Sequence, residues 1–141
     1  MEEEQAVAKN TYVPQPPLSF TEAVGTCFRK YFSFTGRARG SEYWYFALFT
    51  TFVYIIAMII DVSLVIIDER YMEDSGLAGL VTNITLLLVS IPSLSAAARR
   101  LHDTGRSGWW QLLHFTGIGS FVVLYWLIIK GDTEKNSYDL N

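Results

Sequence analysis

Between Trp44 and Ile67 the chain runs for 24 residues with one charged side chain, Asp61. As a helix such a run reaches about 36 Å, enough to cross a hydrocarbon core of about 30 Å with tilt. Two further runs, Leu77–Ala97 and Trp109–Ile129, hold no Asp, Glu, Lys or Arg. Charge is thereby confined to the connections. It amounts to 18% of the chain, where a soluble domain carries about 25%. This pattern excludes a disordered protein and a soluble nucleic-acid binder. A single cysteine, Cys27, excludes a disulfide scaffold, and the sequence offers no Cys/His metal cluster. The expected architecture is all-α. It is an integral membrane helical bundle with three transmembrane helices (spans 44–67, 77–97 and 109–129) and an N-terminal amphipathic helix.

The segment ahead of the first span divides in two. Residues 1–17 open with Glu2, Glu3 and Glu4 and end with Pro14, Pro16 and Pro17, which reads as a disordered lead rather than a secretory signal. The first span then doubles as the insertion signal. Ser19 and Glu22 have capping-box spacing, and Phe20, Ala23/Val24, Cys27/Phe28 and Tyr31/Phe32 recur on one face of a helix over residues 19–33. Two readings fit that face: it lies on the membrane surface, or it packs onto the protein's own bundle. Residues 131–141 form a polar tail.

Basic residues set orientation. Near the membrane, seven (Arg29, Lys30, Arg37, Arg39, Arg99, Arg100 and Arg106) lie before span one or between spans two and three, against Arg70, Lys130 and Lys135 on the other side. With three spans, that split predicts a cytoplasmic N-terminus and a periplasmic C-terminus. Trp109/Trp110 and Tyr125/Trp126 mark the expected ends of span three.

Two segments at the basic face carry most of the chemistry: Phe34–Trp44 and Arg99–Trp110. They bring together Arg37, Arg39, Arg99, Arg100, Arg106, Glu42, His102 and Asp103. Five arginines against two carboxylates leave surplus positive charge, which planar guanidinium forks would offer to an anionic lipid head group. The alternative is a salt-bridge network that closes this end of the bundle and anchors its topology. Adjacent His102 and Asp103 do not face each other on a helix, so no catalytic pair, and no catalytic residue, is assigned. Within the runs, Asp61 is read as a hydrogen-bonded group near the outer interface, with Asn83 or Thr85 as partner, or as an ion-handling site. His114 is read as an interhelical hydrogen-bond partner. No metal or cofactor is implied.

The segments Phe34-Thr35-Gly36-Arg37-Ala38-Arg39-Gly40-Ser41-Glu42-Tyr43-Trp44 and Pro92–Trp110, with its Arg-Arg-Leu-His-Asp-Thr-Gly-Arg-Ser-Gly-Trp-Trp core, resemble the motifs of a bacterial inner-membrane family, domain of unknown function 805. The resemblance covers about residues 28–139. Gly131, Asn136, Tyr138 and Asp139 echo that family's tail, without its closing Gly and Pro. Membership implies a small multi-pass inner-membrane protein and no established activity. The sequence therefore favours a non-enzymatic scaffold or an anionic-lipid binder in the bacterial inner membrane. The alternatives are a small oligomeric transporter or channel subunit, and a lipid-modifying enzyme. Expected partners are membrane lipids, anionic phospholipid in particular, and another membrane protein or a second copy, but no nucleic acid.

Overall fold

The computed structural model describes residues 16–67 and 79–139. Residues 1–15 of the expected lead over 1–17, residues 68–78 between the first two apolar runs and the last two residues of the tail lie outside the described residues. Among the described residues everything regular is helical: α1 (Phe20–Arg29), α2 (Gly40–Ile67), α3 (Leu80–Asp103), a 3-10 segment (Gly108–Thr116) and α4 (Ile118–Ile128).

Helix α1 starts where the capping box places it. The Ser19 amide donates to Glu22 Oε2 at 2.9 Å while the Ser19 hydroxyl accepts from the Glu22 amide. Its apolar face is turned onto the bundle. Ala23 and Cys27 are fully buried, and Phe28 meets Phe46 and Phe49 edge-on, at centroid distances of 5.5 and 5.9 Å. The structure displays packing against the protein for Ala23 and Cys27, while Phe20 and Phe32 of the same face stay exposed.

Helices α2 and α3 form the main pair, and both are long and apolar enough to cross a membrane. Two polar details anchor α3. Pro92 lacks an amide proton, so the Leu88 carbonyl loses its helical donor. The Tyr31 hydroxyl donates to that carbonyl instead, at 2.6 Å. At the far end, α3 begins at Gly79, which offers no side-chain cap. The Asp61 carboxylate on α2 accepts from the Val81 and Thr82 amides, at 3.2 and 2.7 Å, and supplies the cap across the pair. The buried Asp61 is thus hydrogen-bonded, as one reading expected, but to backbone amides rather than to the side chains of Asn83 or Thr85. Asn83 is exposed.

The third apolar run departs from expectation. It is two pieces joined at Gly117, whose φ of 67° and ψ of −69° belong to a tight reversal that side chains with a Cβ avoid. At about 2.0 and 1.5 Å per residue, nine 3-10 residues and eleven α residues extend only about 18 and 16 Å. The two arms return to the same place. Gly108 lies against Ala98, and at the other arm's end Arg100 Nε donates to the Leu127 carbonyl at 3.1 Å. Trp110 and Trp126, expected near opposite ends of a span, have ring centroids 5.6 Å apart. Leu113, Val123 and Leu127 pack with Leu101, near the C-terminal end of α3. Residues 109–129 are therefore a hairpin, and the tail emerges at the same end of the bundle as Arg37. This corrects the expected third span and, with it, the placement of the tail at the opposite end. Composition could not separate the two, because a hairpin buried in lipid and a span are equally apolar. His114 correspondingly bridges the arms of the hairpin, with Nδ1 3.3 Å from Ser120 Oγ, rather than linking spanning helices.

Candidate functional site at the arginine end

The last turn of α3, the first turn of α2, the strap before it and the tail all meet here. The strap is laid on α3 by the Ala38 amide, which donates to the Arg99 carbonyl at 2.9 Å. That places Arg37 over the helix end. Its Nε donates to Asp103 Oδ1 at 2.9 Å, with both side chains nearly buried. Its Nη1 reaches Asp139 Oδ2 at 3.2 Å and the Glu134 carbonyl at 3.0 Å, and its Nη2 donates to the Asp132 carbonyl. Arg100 holds the other side of the same carboxylate, Asp103 Oδ2, and its remaining donors take the Leu127 and Ile129 carbonyls. Asp103 is thus clamped between two guanidiniums. The free carbonyls at the end of α4 are capped by a third-party arginine instead of by water.

Arg99 is fully buried and pairs with Glu42, itself buried in the first turn of α2. Arg99 Nε and Nη2 find no hydrogen-bond partner among the described residues, and Glu42 is the ion-pair partner of that charge. Beside them the Cys27 thiol is pushed up to about 11, first by burial and then by the Glu42 charge. Among the described residues, the side chains of Arg39 and Arg106 donate to backbone carbonyls, of Pro16 and, at 2.7 Å, of Thr104. Arg106 also lies over Trp126, 4.9 Å from the ring centroid.

His102 does not meet the Asp103 carboxylate, which the two arginines occupy. Its Nδ1 lies 3.1 Å from the Gly36 carbonyl, an acceptor only, so the ring proton sits on Nδ1. Tyr138 covers the ring in a stack with centroids 3.9 Å apart and planes 5° from parallel. Alongside runs a cavity of about 600 Å³, bordered by Leu94, Ala98, His102, Trp109, Leu112 and Tyr138.

The tail completes the site. The Asp132 amide donates to the Asp103 carbonyl at 2.7 Å, closing the end of α3. Asn136 Nδ2 donates to the His102 carbonyl at 2.9 Å, and the Asn136 amide donates to Asp139 Oδ2 at 2.7 Å. Gly131 passes so close to the Asp103 carboxylate that a Cβ there would overlap it. Gly131, Asn136, Tyr138 and Asp139 are the residues whose echo of a family tail was the only sequence signal of their role. The structure therefore brings Arg37, Arg99, Arg100, Glu42, His102 and Asp103 together. It places Asp61 and Asn83 at the far end and His114 in the hairpin.

A strap, two long apolar helices, a hairpin and a returning tail, locked by buried arginines at one end, define a small helical integral membrane protein. The chain belongs to the family described as protein of unknown function (DUF805), whose model matches residues 31–140. It is similar to the inner membrane protein YhaI of Escherichia coli K12, 39% identical over 111 residues, which is 78% of this chain and 86% of that one. It is also similar to the inner membrane protein YhaH of the same organism, 36% identical over 112 residues, covering 78% and 87% of the two chains. No solved structure matches. The protein is accordingly an inner-membrane protein.

Proposed function

We propose that this protein is a non-enzymatic scaffold of the bacterial inner membrane, and that its arginine motif is an internal clamp rather than a lipid receptor. The observation that carries the reading is the direction of the guanidiniums: Arg37, Arg99 and Arg100 are turned inward onto Glu42, Asp103, Asp139 and backbone carbonyls. The surplus charge inferred from two loops is taken up by the tail and by carbonyl dipoles. Catalysis is disfavoured because His102 is covered by Tyr138 and separated from a carboxylate that is already committed.

The arginine end is cytoplasmic in this reading. The hairpin moves Lys130 and Lys135 to that end, joining Arg29, Lys30, Arg37 and Arg39 before α2 and Arg99, Arg100 and Arg106 after Ala98. The link over 68–78 between α2 and α3 holds only Arg70. Both the strap and the tail then face the cytoplasm.

Native mass spectrometry of the full chain released from its own membranes tests the proposal, comparing wild type with an Arg39→Gln/Arg106→Gln variant. Those two arginines lie outside the clamp. A retained protein partner or second copy, with phosphatidylglycerol adducts equal in both proteins, is expected. A lone subunit whose bound phosphatidylglycerol disappears in the variant would replace the scaffold by a lipid receptor.

A further inference from the structure

We propose that the hairpin is a one-leaflet wedge. It lies among the acyl chains of the leaflet on the arginine side, never reaches the other leaflet, and makes the protein favour membrane that is convex on that side. Four observations converge on this.

The arms are of leaflet length. Reaches of about 18 and 16 Å match half of a hydrocarbon core of about 30 Å. The tip is apolar and bare: Phe115, Ile118 and Phe121 are 88%, 82% and 75% exposed and lie beside the reversal. The turn pairs several of its polar groups internally, which favours a surrounding without water. The Thr116 hydroxyl donates to the Leu113 carbonyl at 2.8 Å and accepts from the Gly119 amide at 3.1 Å. The Ser120 hydroxyl donates to the His114 carbonyl at 3.1 Å, and the Ser120 amide to the Gly117 carbonyl at 3.0 Å. Finally, the base is built for the interface. Trp109, Trp110 and Trp126 sit there with Arg106 and Lys130, the aromatic and basic types that anchor at head-group level.

The consequence is an asymmetric cross-section. At the arginine end, α1, the 3-10 segment and α4 surround α2 and α3, whereas at the Asp61 end only α2 and α3 remain among the described residues. Bilayer curved so that the arginine-side leaflet is stretched offers the packing gaps that such a wedge fills. Apolar faces that insert into one leaflet respond to curvature for the same reason. The name of that leaflet, cytoplasmic, rests on the orientation proposed above; the depth of the wedge does not.

The test uses the full chain in vesicles of phosphatidylethanolamine and phosphatidylglycerol, in a Cys27→Ser background. Single substitutions Ile118→Cys at the tip and Thr35→Cys at the strap are labelled in turn. A fluorophore on the tip should be quenched most by nitroxides placed deep on the acyl chains, and the tip thiol should resist an impermeant maleimide from both sides. Reaction of the tip from the side opposite Thr35 would show a full crossing. Reaction from the same side would show a hairpin in water. Either overturns the wedge. A strap thiol reacting only from the periplasm in cells would reverse the orientation while leaving a deep tip, and so the wedge, intact. Sorting between sonicated and large extruded vesicles reads the consequence. The wild type should be enriched severalfold per lipid in the small vesicles, with Thr35 facing outward. A Phe115→Asp/Ile118→Asp/Phe121→Asp variant with unchanged helicity should lose the enrichment. Equal density of the wild type in both vesicle classes overturns the curvature preference.

Discussion

Replacing Asp103 by Asn tests the clamp at its centre. The carboxylate is nearly buried and is shared by two guanidiniums, with Arg37 Nε at 2.9 Å from Oδ1. An amide in its place keeps one acceptor and turns two donors toward Arg37 or Arg100. Removing one partner of a buried ion pair costs about 3–5 kcal/mol, because the other charge stays desolvated. The two arginines are not stranded, however. Arg37 keeps Asp139 at 3.2 Å and two carbonyls, and Arg100 keeps Leu127 O at 3.1 Å and Ile129 O. The cost should therefore sit at the lower bound, about 3 kcal/mol. For a chain of this length each kcal/mol moves the unfolding midpoint by about 4 °C, so a fall of about 12 °C is expected. Thermal unfolding in mild detergent, followed by the fluorescence of the hairpin tryptophans, measures it. Asp132→Asn is the comparison. The Asp132 carboxylate bonds Asn136 Nδ2 at 3.1 Å, while its contribution to the clamp comes from backbone groups. It should melt close to wild type. An Asp103→Asn protein that melts with the wild type, or an Asp132→Asn protein that falls as far, would refute the reasoning.

Further outcomes follow from single contacts. Tyr31→Phe should cost about 1 kcal/mol by removing the donor to Leu88 O. In a Pro92→Ala background, where the restored amide takes that carbonyl, the same substitution should cost nothing measurable in the thermal midpoint. Asp61→Ala should destabilise by about 1–2 kcal/mol through the lost cap of α3, and Asp61→Asn, which still accepts, by less. Equal melting losses for the two would point away from capping. With its thiol near 11, Cys27 is about one part in a thousand thiolate at pH 8, so maleimide should label it only after unfolding. Rapid labelling of the folded protein at that pH would contradict the burial.

Local signals in the sequence were sufficient wherever one element decided the outcome. The Ser19/Glu22 spacing placed the start of α1, the long apolar runs marked α2 and most of α3, and the two motif segments located the arginine end. What escaped depended on contacts between distant segments. Apolar composition over 109–129 describes a span and a hairpin equally well. The discriminating feature was backbone geometry at Gly117, one of two midway glycines with several conceivable roles. From that followed the position of the tail and hence the charge balance. Asp139 and the carbonyls of Leu127, Ile129, Asp132 and Glu134 saturate arginines that, counted from two loops, had looked unpaired. Asp61 illustrates the same limit: a polar partner was foreseeable, but two backbone amides at a helix start carry no sequence label.

The sidedness of the C-terminus tests the central claim most directly. Full-length protein is fused after Asn141 either to a fluorescent reporter that matures in the cytoplasm or to a phosphatase active only in the periplasm. A hairpin that returns the tail to Arg37 predicts a fluorescent cell and an inactive phosphatase. An active phosphatase with a dark cell, in a protein whose Thr35→Cys strap thiol reacts only from the cytoplasm, would mean that residues 109–129 cross the bilayer, and would contradict both the clamp and the wedge.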